Sequence, residues 1–367
     1  MTRKFWFRTF RNLLFRNRPY FAHLALTHVC NLRCRFCHIP EERLKEQDTG
    51  GMKRVIDRLD RMGIAVLSIS GGEPLLRPDF AALINYAADK KLYVKITSNG
   101  TMSRGKYAEL LASRVSEIAI SLDGVRGNQL PYAHVGPKVL DSIAFLNDNL
   151  PPGKNLTLNI TVSQANCDQV DDIVAYCTRE FPGARLWLNP VVVGQGKLRV
   201  LTQLKVNPDF LRRVESPALL TPGFYKQGCE DYYRSETYDW GCLAGELFFD
   251  IKPNGDFWIC QDYAAQTPLN ILDEDFERKY RQADFSQRRA CSGCTYSCYW
   301  ITQRSFEPHT WPGMAGLWWK CHTRPGEACR QTAGKYGWAP GFLHFCASRV
   351  LAIRRSPLRV IKPEVGA

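Results

Sequence analysis

The chain has 367 residues, of which 45% are hydrophobic and 12% aromatic, enough for one large domain with an appendage. Its fourteen cysteines are too few for a disulfide scaffold of this length, and their grouping in short-spaced runs indicates metal ligation in a reducing compartment, so a cytoplasmic location is expected. The net charge of +13 is concentrated at the termini, with +6 in residues 1–20 and +4 in residues 346–367. Because a nucleic-acid binder would carry its charge across the fold, nucleic acid is not an expected partner.

Residues 1–20 are predicted to form a basic amphipathic helix. Apolar residues recur at helical spacing with arginines largely on the other side, namely Trp6, Phe10, Leu13 and Leu14 against Arg8 and Arg11. Charges interrupt the segment too often for a signal peptide or a transmembrane span. Two interpretations stay open: a peripheral anchor on the inner face of a membrane, or a helix packed beneath the fold.

Residues 21–200 alternate short β-branched runs with helical segments. The predicted strands are Leu24–Thr27, Ala65–Ser70, Leu92–Thr97, Glu117–Leu122, Asn155–Val162 and Arg185–Val192. The predicted helices are Phe80–Asp89, Lys106–Ser113, Lys138–Asn149 and Val170–Glu180. Six such units predict an α/β fold, a partial (β/α)6 TIM-like barrel, with ligands at the carboxyl ends of the strands.

A loop after the first strand carries three cysteines, Cys30, Cys34 and Cys37, in the spacing C-x3-C-x2-C. Three thiolates on one loop can hold three irons of a [4Fe–4S] cluster and leave the fourth iron open to another ligand. Zinc sites usually combine one C-x2-C pair with a second pair, so this spacing is less typical of a zinc site than of an iron–sulfur cluster.

Later strands end in polar, glycine-containing motifs. These are Gly71-Gly72-Glu73-Pro74, Thr97-Ser98-Asn99-Gly100 and Ser121-Leu122-Asp123-Gly124, and the fifth strand carries Asn159. Each motif alone is typical of an ordinary turn. Because they follow successive strands and so lie at the same end of the predicted barrel, together they indicate a shared ligand site.

With C-x3-C-x-Phe-C before them, these motifs make residues 20–200 resemble the core of the radical S-adenosylmethionine (SAM) family. The resemblance implies that the three loop cysteines ligate a [4Fe–4S] cluster whose open iron binds SAM. It further implies SAM contacts from Phe36, Gly71, Gly72, Glu73, Pro74, Asn99, Ser121 and Asn159. The implied chemistry is reductive cleavage of SAM to a 5′-deoxyadenosyl radical that abstracts hydrogen, with electrons from a flavodoxin- or ferredoxin-type donor.

A second cysteine group follows a connecting segment, residues 201–239. Within residues 240–330, the runs Leu247–Ile251 and Asp256–Ile259 flank an Asn-Gly turn and predict a hairpin with Cys242 and Cys260 near its open end. The barrel is therefore expected to be followed by a small cysteine-rich extension made of a β-hairpin plus helix. Three more cysteines follow at Cys291, Cys294 and Cys298. From spacing alone, four of these thiols can hold either zinc or a second cluster.

The pattern C-x12-G-x4-C with a later C-x2-C resembles the auxiliary-cluster extension called SPASM or twitch. That resemblance implies one auxiliary [4Fe–4S] cluster held by Cys242, Cys260, Cys291 and Cys294. Cys298 follows sooner than in the full pattern, and Cys298 with Cys321 is an alternative ligand pair for a further or replacement cluster. Two carboxylates beside these loops, Asp123 and Asp262, are candidate acid–base residues.

The sequence does not specify the substrate. The basic, aromatic termini, including the tail 331–367, suggest a lipid or membrane-associated substrate. One alternative is an enzyme that matures a peptide or a cofactor without membrane contact. Another, of a different class, is a non-catalytic iron–sulfur or zinc metalloprotein, which would need neither Gly71-Gly72-Glu73-Pro74 nor an open iron.

Overall fold

A computed structural model describes residues 2–14, 19–34, 37, 39–125, 136–164, 166–190, 209–216, 218–221, 223–235, 241–286, 288, 291 and 294–306. Phe36, Cys321 and the basic tail 331–367 lie outside the described residues.

The described residues form helices and one sheet. The helices are α1 Arg3–Leu14, α2 Thr49–Met62, α3 Phe80–Asp89, α4 Arg104–Ala112, α5 Pro137–Asp148, α6 Val170–Glu180, α7 Phe210–Arg213, α8 Gly223–Ser235, α9 Phe276–Gln282 and α10 Ser297–Arg304. The strands are β1 Phe21–Thr27, β2 Val66–Gly71, β3 Tyr93–Ser98, β4 Glu117–Ser121, β5 Asn155–Val162, β6 Ala184–Pro190, β7 Phe248–Ile251, β8 Asp256–Trp258 and β9 Ala264–Asn270.

The sheet has the strand order β6-β5-β4-β3-β2-β1-β7-β8-β9. Strands β1 to β6 are parallel neighbours joined through helices, which confirms the predicted partial barrel. The predicted hairpin is also present, but its first strand, β7, pairs in parallel with β1 and so extends the barrel sheet by one strand. Every predicted strand and helix of the barrel is observed, three of them with the predicted ends and the others with ends that differ by at most a few residues. The predicted end of the sixth strand, Val192, lies outside the described residues.

The sheet is apolar on its outer face and polar on its inner face. Leu24, Leu67 and Val94 are fully buried on the outer face, which the helices cover. On the inner face, directly paired residues form a continuous polar row across strands β7, β1, β2, β3, β4 and β5: Asp250, His23, Ser68, Lys95, Glu117 and Asn155. Because paired residues point to the same side of a sheet, this inner polar row lines the interior of the barrel.

Helix α2 and the helices of the segment 201–239 are absent from the sequence predictions. Helix α2 begins after Asp48, whose side chain accepts the backbone N–H of Gly51 at 2.7 Å, and ends at Gly63 in the left-handed conformation. Residues 201–239, interpreted as a connecting segment, contain α7 and the 13-residue α8.

Helix α1 packs beneath the barrel and presents its basic side to the protein. Lys4 and Arg8 both contact Asp60 at 2.7 Å, and Arg8 is buried. On the opposite side, Phe7 and Phe10 are 67% and 36% exposed. Among the described helices, none is long and apolar enough to cross a bilayer.

Helix α10 spans the gap between the last and the first strand of the barrel. At one end, Ser297 Oγ donates to Asn189 Oδ1 of β6 at 2.5 Å. At the other end, the rings of Phe306 and Tyr20, which precedes β1, meet edge to face at 4.8 Å. Between them, Tyr299 stacks on Phe248 of β7 at 4.5 Å. Helix α10 therefore covers the open side of the barrel and contributes side chains to its interior.

Candidate active site

The cysteine loop brings three thiols together above β1. Burial, followed by the neighbouring thiols of Cys37 and Cys30 and the carboxylate of Asp123, raises the pKa of Cys34 to about 11. The backbone N–H of Leu32 donates to Cys30 Sγ at 3.4 Å, and Cys37 N–H donates to the Cys34 carbonyl at 3.0 Å. Three thiols on one loop, with Cys30 and Cys37 within electrostatic range of Cys34, are the soft donor set that an iron–sulfur cluster takes, so the chemistry of these residues fits such a group.

Two glycines hold the end of β2 against the chain that leads into this loop. Gly71 has φ +122°, and a Cβ there would lie 2.2 Å from the Thr27 carbonyl oxygen. A Cβ on Gly72 would lie 2.2 Å from the Val29 carbonyl oxygen. Gly72 N–H donates to Thr27 O at 2.7 Å, so the close approach that these glycines permit is to the protein's own backbone.

Glu73 ties this segment to the next rim motif. Its Oε2 accepts the backbone N–H of Asn99 at 2.8 Å, and its Oε1 accepts that of Leu75 at 3.2 Å. The carboxyl is fully buried. Burial raises its pKa to about 7, although the hydrogen bonds lower it. The next residue, Pro74, is buried at the start of a 3₁₀ turn.

Asn99 reaches from the end of β3 to the cysteine loop. Its Nδ2 donates to Asn31 Oδ1 at 2.9 Å and lies 3.9 Å from Cys30 Sγ. Glu73, Asn99 and Cys30 therefore form one continuous contact, and the structure brings together motifs whose ends, Cys30 and Asn99, lie 69 positions apart in the sequence.

The fourth and fifth strands complete the same rim. Ser121 pairs with Asn159 and Asn159 with Trp187, which places the three on neighbouring strands of the inner face. Asp123 is buried, its Oδ1 accepts the Thr161 N–H at 3.1 Å, and burial raises the pKa of its carboxyl. Since Asp123 also acts on the pKa of Cys34, it lies beside the cysteine loop.

The second cysteine group assembles at the start of α10. Burial raises the pKa of Cys294, and the thiols of Cys242, Cys291 and Cys260 raise it further. Cys294 is therefore within electrostatic range of the three other cysteines that the hairpin and the C-x2-C pair supply. Asp262 borders the group, where it accepts the hydroxyl of Tyr296 at 3.3 Å. Among the described residues, no three His, Cys, Asp or Glu side chains converge closely enough to surround a single ion.

Cys298 has different neighbours from the four cysteines of this group. Enclosure by protein and then the carboxylate of Asp250 raise its pKa to about 12, while the Lys95 ammonium lowers it. The residue nevertheless keeps solvent contact, which places it on the wall of the accessible interior and not within packed protein. Both charged neighbours belong to the inner polar row, so Cys298 faces the barrel interior.

The sequence analysis missed four interior residues: Ser70, His23, Asp250 and Tyr299. They make a hydrogen-bonded chain from β2 to α10. The available signal was a single histidine inside the otherwise apolar or small-residue β1 run and an aspartate inside the apolar β7 run. The chain itself depends on the pairing of β1 with β7, which local patterns do not encode.

Comparisons with known proteins agree with this geometry. A family model described as Radical SAM superfamily matches residues 24–161. The PqqA peptide cyclase of Rhodopseudomonas palustris is 32% identical over 265 residues, which are 68% of each chain. The AdoMet-dependent heme synthase of Nitratidesulfovibrio vulgaris is 26% identical over 306 residues, covering 74% of this chain and 82% of that protein.

Other similarities are shorter or structural. The mycofactocin maturase MftC of Mycolicibacterium smegmatis is 32% identical over 159 residues, and the match spans only 40% of that protein. The structure of Streptococcus suis SuiB bound to S-adenosylmethionine has the same fold, with a TM-score of 0.57 and 20% identity over 75% of this chain and 68% of SuiB. The superfamily uses a [4Fe–4S] cluster with SAM, and SPASM-type relatives carry auxiliary clusters. The chain belongs to the radical SAM superfamily and is a radical SAM enzyme.

Proposed function

We propose that Cys30, Cys34 and Cys37 hold the [4Fe–4S] cluster to which SAM binds. The observation that carries the proposal is the continuous contact of Cys30, Asn99 and Glu73 at one rim, with Asp123 beside Cys34. The thiols supply three iron ligands, and the polar rim lies where the amino-acid part of SAM would approach the fourth iron.

The rim residues hold SAM in this proposal. The SAM contacts are assigned to Phe36, Gly71, Gly72, Glu73, Pro74, Asn99, Ser121 and Asn159. Glu73 accepts the backbone N–H groups of Asn99 and Leu75, and the Ser98 side chain also bonds its carboxyl. A carboxylate has about four lone-pair positions, so it can also accept an ammonium. Bound together, the cluster and SAM supply a 5′-deoxyadenosyl radical that abstracts hydrogen from substrate, with electrons from a flavodoxin- or ferredoxin-type protein.

Cys242, Cys260, Cys291 and Cys294 hold one auxiliary [4Fe–4S] cluster in this proposal. Their support is that the thiols of Cys242, Cys291 and Cys260 all act on the pKa of Cys294. Cys298 is left out because its charged neighbours are Asp250 and Lys95 in the barrel interior. Asp123 and Asp262 are retained as acid–base candidates, one beside each cysteine group.

The substrate is proposed to be a peptide or a cofactor precursor. The relatives named peptide cyclase, maturase and heme synthase support this class. The inner polar row supports it as well, because its ionic groups suit a polar molecule better than an acyl chain.

Anaerobic reconstitution with iron and sulfide, followed by dithionite and SAM, tests the catalytic proposal. We expect release of 5′-deoxyadenosine and methionine by the wild-type protein and none by Cys34→Ala. A protein that binds zinc at the cysteines and releases no 5′-deoxyadenosine would be the non-catalytic metalloprotein.

A peripheral membrane location is the second candidate, favoured by the exposed Phe7 and Phe10. Deletion of α1 would remove the packing of Phe5 and Arg8, so the sharper variant is Phe7→Ser with Phe10→Ser. Sedimentation with anionic phosphatidylglycerol vesicles should fall in this variant. Equal partitioning of variant and wild type would rule out contact through α1.

A further inference from the structure

We propose that Ser70, His23, Asp250 and Tyr299 form a proton relay that opens into the reaction cavity at Ser70. The relay would accept or return a proton at a hydroxyl, amine or amide group of the substrate. It rests on the proposed function, since it assigns an acid–base partner to the molecule that the enzyme attacks.

The carboxylate of Asp250 is the centre of the chain. Its Oδ1 accepts the hydroxyl of Tyr299, and its Oδ2 lies 3.3 Å from His23 Nδ1. The oxygen of Tyr299 in turn accepts the backbone N–H of Gln261 at 3.1 Å, which directs the phenolic proton to Asp250. Asp250 is buried, so its charge is available to a partner inside the barrel and is little screened by solvent.

These contacts fix the tautomer of His23. Because the carboxylate of Asp250 only accepts, Nδ1 of the imidazole carries the proton. Nε2 is then the acceptor, and its partner is the hydroxyl of Ser70. The order hydroxyl, imidazole, carboxylate is the arrangement that activates serine in unrelated hydrolases, and it is recognised by geometry and not by fold.

The strand pairing places Ser70, the end of the relay that is open to the cavity, nearest the rim of the barrel. Asp250 and His23 are direct partners in the inner polar row, whereas Ser70 lies one layer nearer the carboxyl ends of the strands, opposite Ala25. Ser70 directly precedes Gly71, a residue of the proposed SAM site, so the Ser70 hydroxyl borders that site. The side chain of His23 is 17% exposed and that of Asp250 is 4% exposed, so access comes from the Ser70 side.

The other titratable groups near the relay are Lys95, Cys298 and Cys260. Cys260, a proposed ligand of the auxiliary cluster, is within electrostatic range of Asp250 and Tyr299 but is not among their hydrogen-bond partners in the relay. Lys95 lies two strands from His23 in the inner polar row, and its Nζ is 3.0 Å from Oε1 of Glu117. Cys298, from α10, is within electrostatic range of Asp250 and Lys95 but has its pKa raised, so it adds no charge at neutral pH. The carboxylate that faces His23 is therefore that of Asp250.

The proton transfer is balanced within the chain. As a substrate X–H bond breaks, its proton passes to Ser70 Oγ, and the Ser70 proton passes to His23 Nε2. The imidazolium that forms is stabilised by Asp250, which itself stays ionised. No electron moves in this step, and the reverse sequence returns the proton.

Labelling of the reconstituted holoenzyme by diisopropyl fluorophosphate tests the relay without a known substrate. In that reaction the Ser70 proton goes to His23, an O–P bond forms, and fluoride leaves. We expect mass spectrometry to find the label on Ser70 and not on Ser68, which faces the same interior two residues earlier. Trypsin serves as the reagent control.

Variants separate activation from folding. His23→Gln should slow labelling by about 100-fold or more, since a positioned base contributes that much to proton transfer. Asp250→Asn, which keeps the shape but favours the wrong tautomer, should also slow it, and Tyr299→Phe should slow it least. Circular dichroism checks that each variant is folded.

The outcomes distinguish the relay from the enzyme activity. Release of 5′-deoxyadenosine with no label on Ser70, or with labelling unchanged in His23→Gln, overturns the relay alone. Labelling that depends on His23 in a preparation that cleaves no SAM supports the relay and contradicts the proposed function.

Discussion

The backbone N–H of Asn99 donates to Oε2 of Glu73 at 2.8 Å, and this bond joins the ends of β2 and β3 beside the cysteine loop. The carboxyl is fully buried, so the same group that organises the rim also carries an electrostatic cost. Burial raises its pKa from 4.5 to about 7.

Glu73 should make the protein less stable as pH rises. Between about pH 4.5 and 7 the unfolded chain loses this proton before the folded chain does, so the free energy of unfolding decreases with pH. The full shift corresponds to about 3 kcal/mol, present below pH 4.5 and lost above pH 7. Urea unfolding of the wild type and of Glu73→Gln at pH 5 and pH 8 measures the difference.

Glu73→Gln provides the comparison because its amide does not titrate. The variant should lose one of the two backbone hydrogen bonds, at about 1 kcal/mol, but should not show the pH-dependent decrease. Other titrating groups are common to both proteins and cancel. Parallel pH dependence in the two proteins would contradict the raised pKa.

Gly71→Ala should distort the segment between β2 and the cysteine loop. Its φ of +122° and the 2.2 Å approach of a Cβ to the Thr27 carbonyl leave no room for a side chain. We expect a loss of about 1–3 kcal/mol in the free energy of unfolding, with reduced iron content after reconstitution.

Gly105→Ala is the matched control for this substitution. A Cβ there meets nothing closer than Ser103 Oγ at 3.8 Å, and the residue lies within α4. Alanine should therefore stabilise the helix by up to about 1 kcal/mol and leave iron content unchanged. A Gly71→Ala protein as stable and as rich in iron as Gly105→Ala would show that the rim tolerates a side chain.

The sequence predicted the barrel well because its signals are local. Strand β5 and helices α3 and α6 have the predicted ends, since alternation and flanking turns mark them. The rim motifs followed from strand order alone. Cys30 and Glu73 are therefore predicted to lie at one site, and in the structure Asn99 contacts both.

What the sequence did not predict depends on contacts between distant segments. The pairing of β7 with β1 joins residues more than two hundred positions apart, and it creates the contact of His23 with Asp250. Helix α10 enters the barrel opening through Tyr299 and Ser297, which have no periodic pattern that would reveal it. The basic side of α1 packs inward because Asp60 lies beneath it.

Gly228→Ala should weaken the docking of α10 on α8. A Cβ at this position would lie 1.9 Å from the ring of Trp300, a buried residue whose ring also meets Tyr225 at 6.0 Å. Overpacking of this kind costs about 1–3 kcal/mol, measured as a lower urea midpoint. Gly223→Ala, on the same helix with nothing within 4 Å, should be neutral or stabilising. Equal midpoints for the two variants would contradict the tight contact.

The two cysteine groups should lose iron independently. A reconstituted wild type with two [4Fe–4S] clusters holds about eight irons per chain, and Cys294→Ala should retain about four, with SAM binding preserved. Cys298→Ala is the matched control and should keep the full iron content, because Cys298 faces Asp250 and Lys95 and not the other thiols.

Metal analysis by inductively coupled plasma mass spectrometry decides between the alternatives for the second group. Iron loss in Cys298→Ala equal to that in Cys294→Ala would make Cys298 a ligand, against its position on the barrel wall. Wild-type protein with about four irons and one zinc would assign Cys242, Cys260, Cys291 and Cys294 to zinc. About eight irons without zinc, halved in Cys294→Ala alone, is the expected result, because Cys294 lies within electrostatic range of Cys242, Cys260 and Cys291.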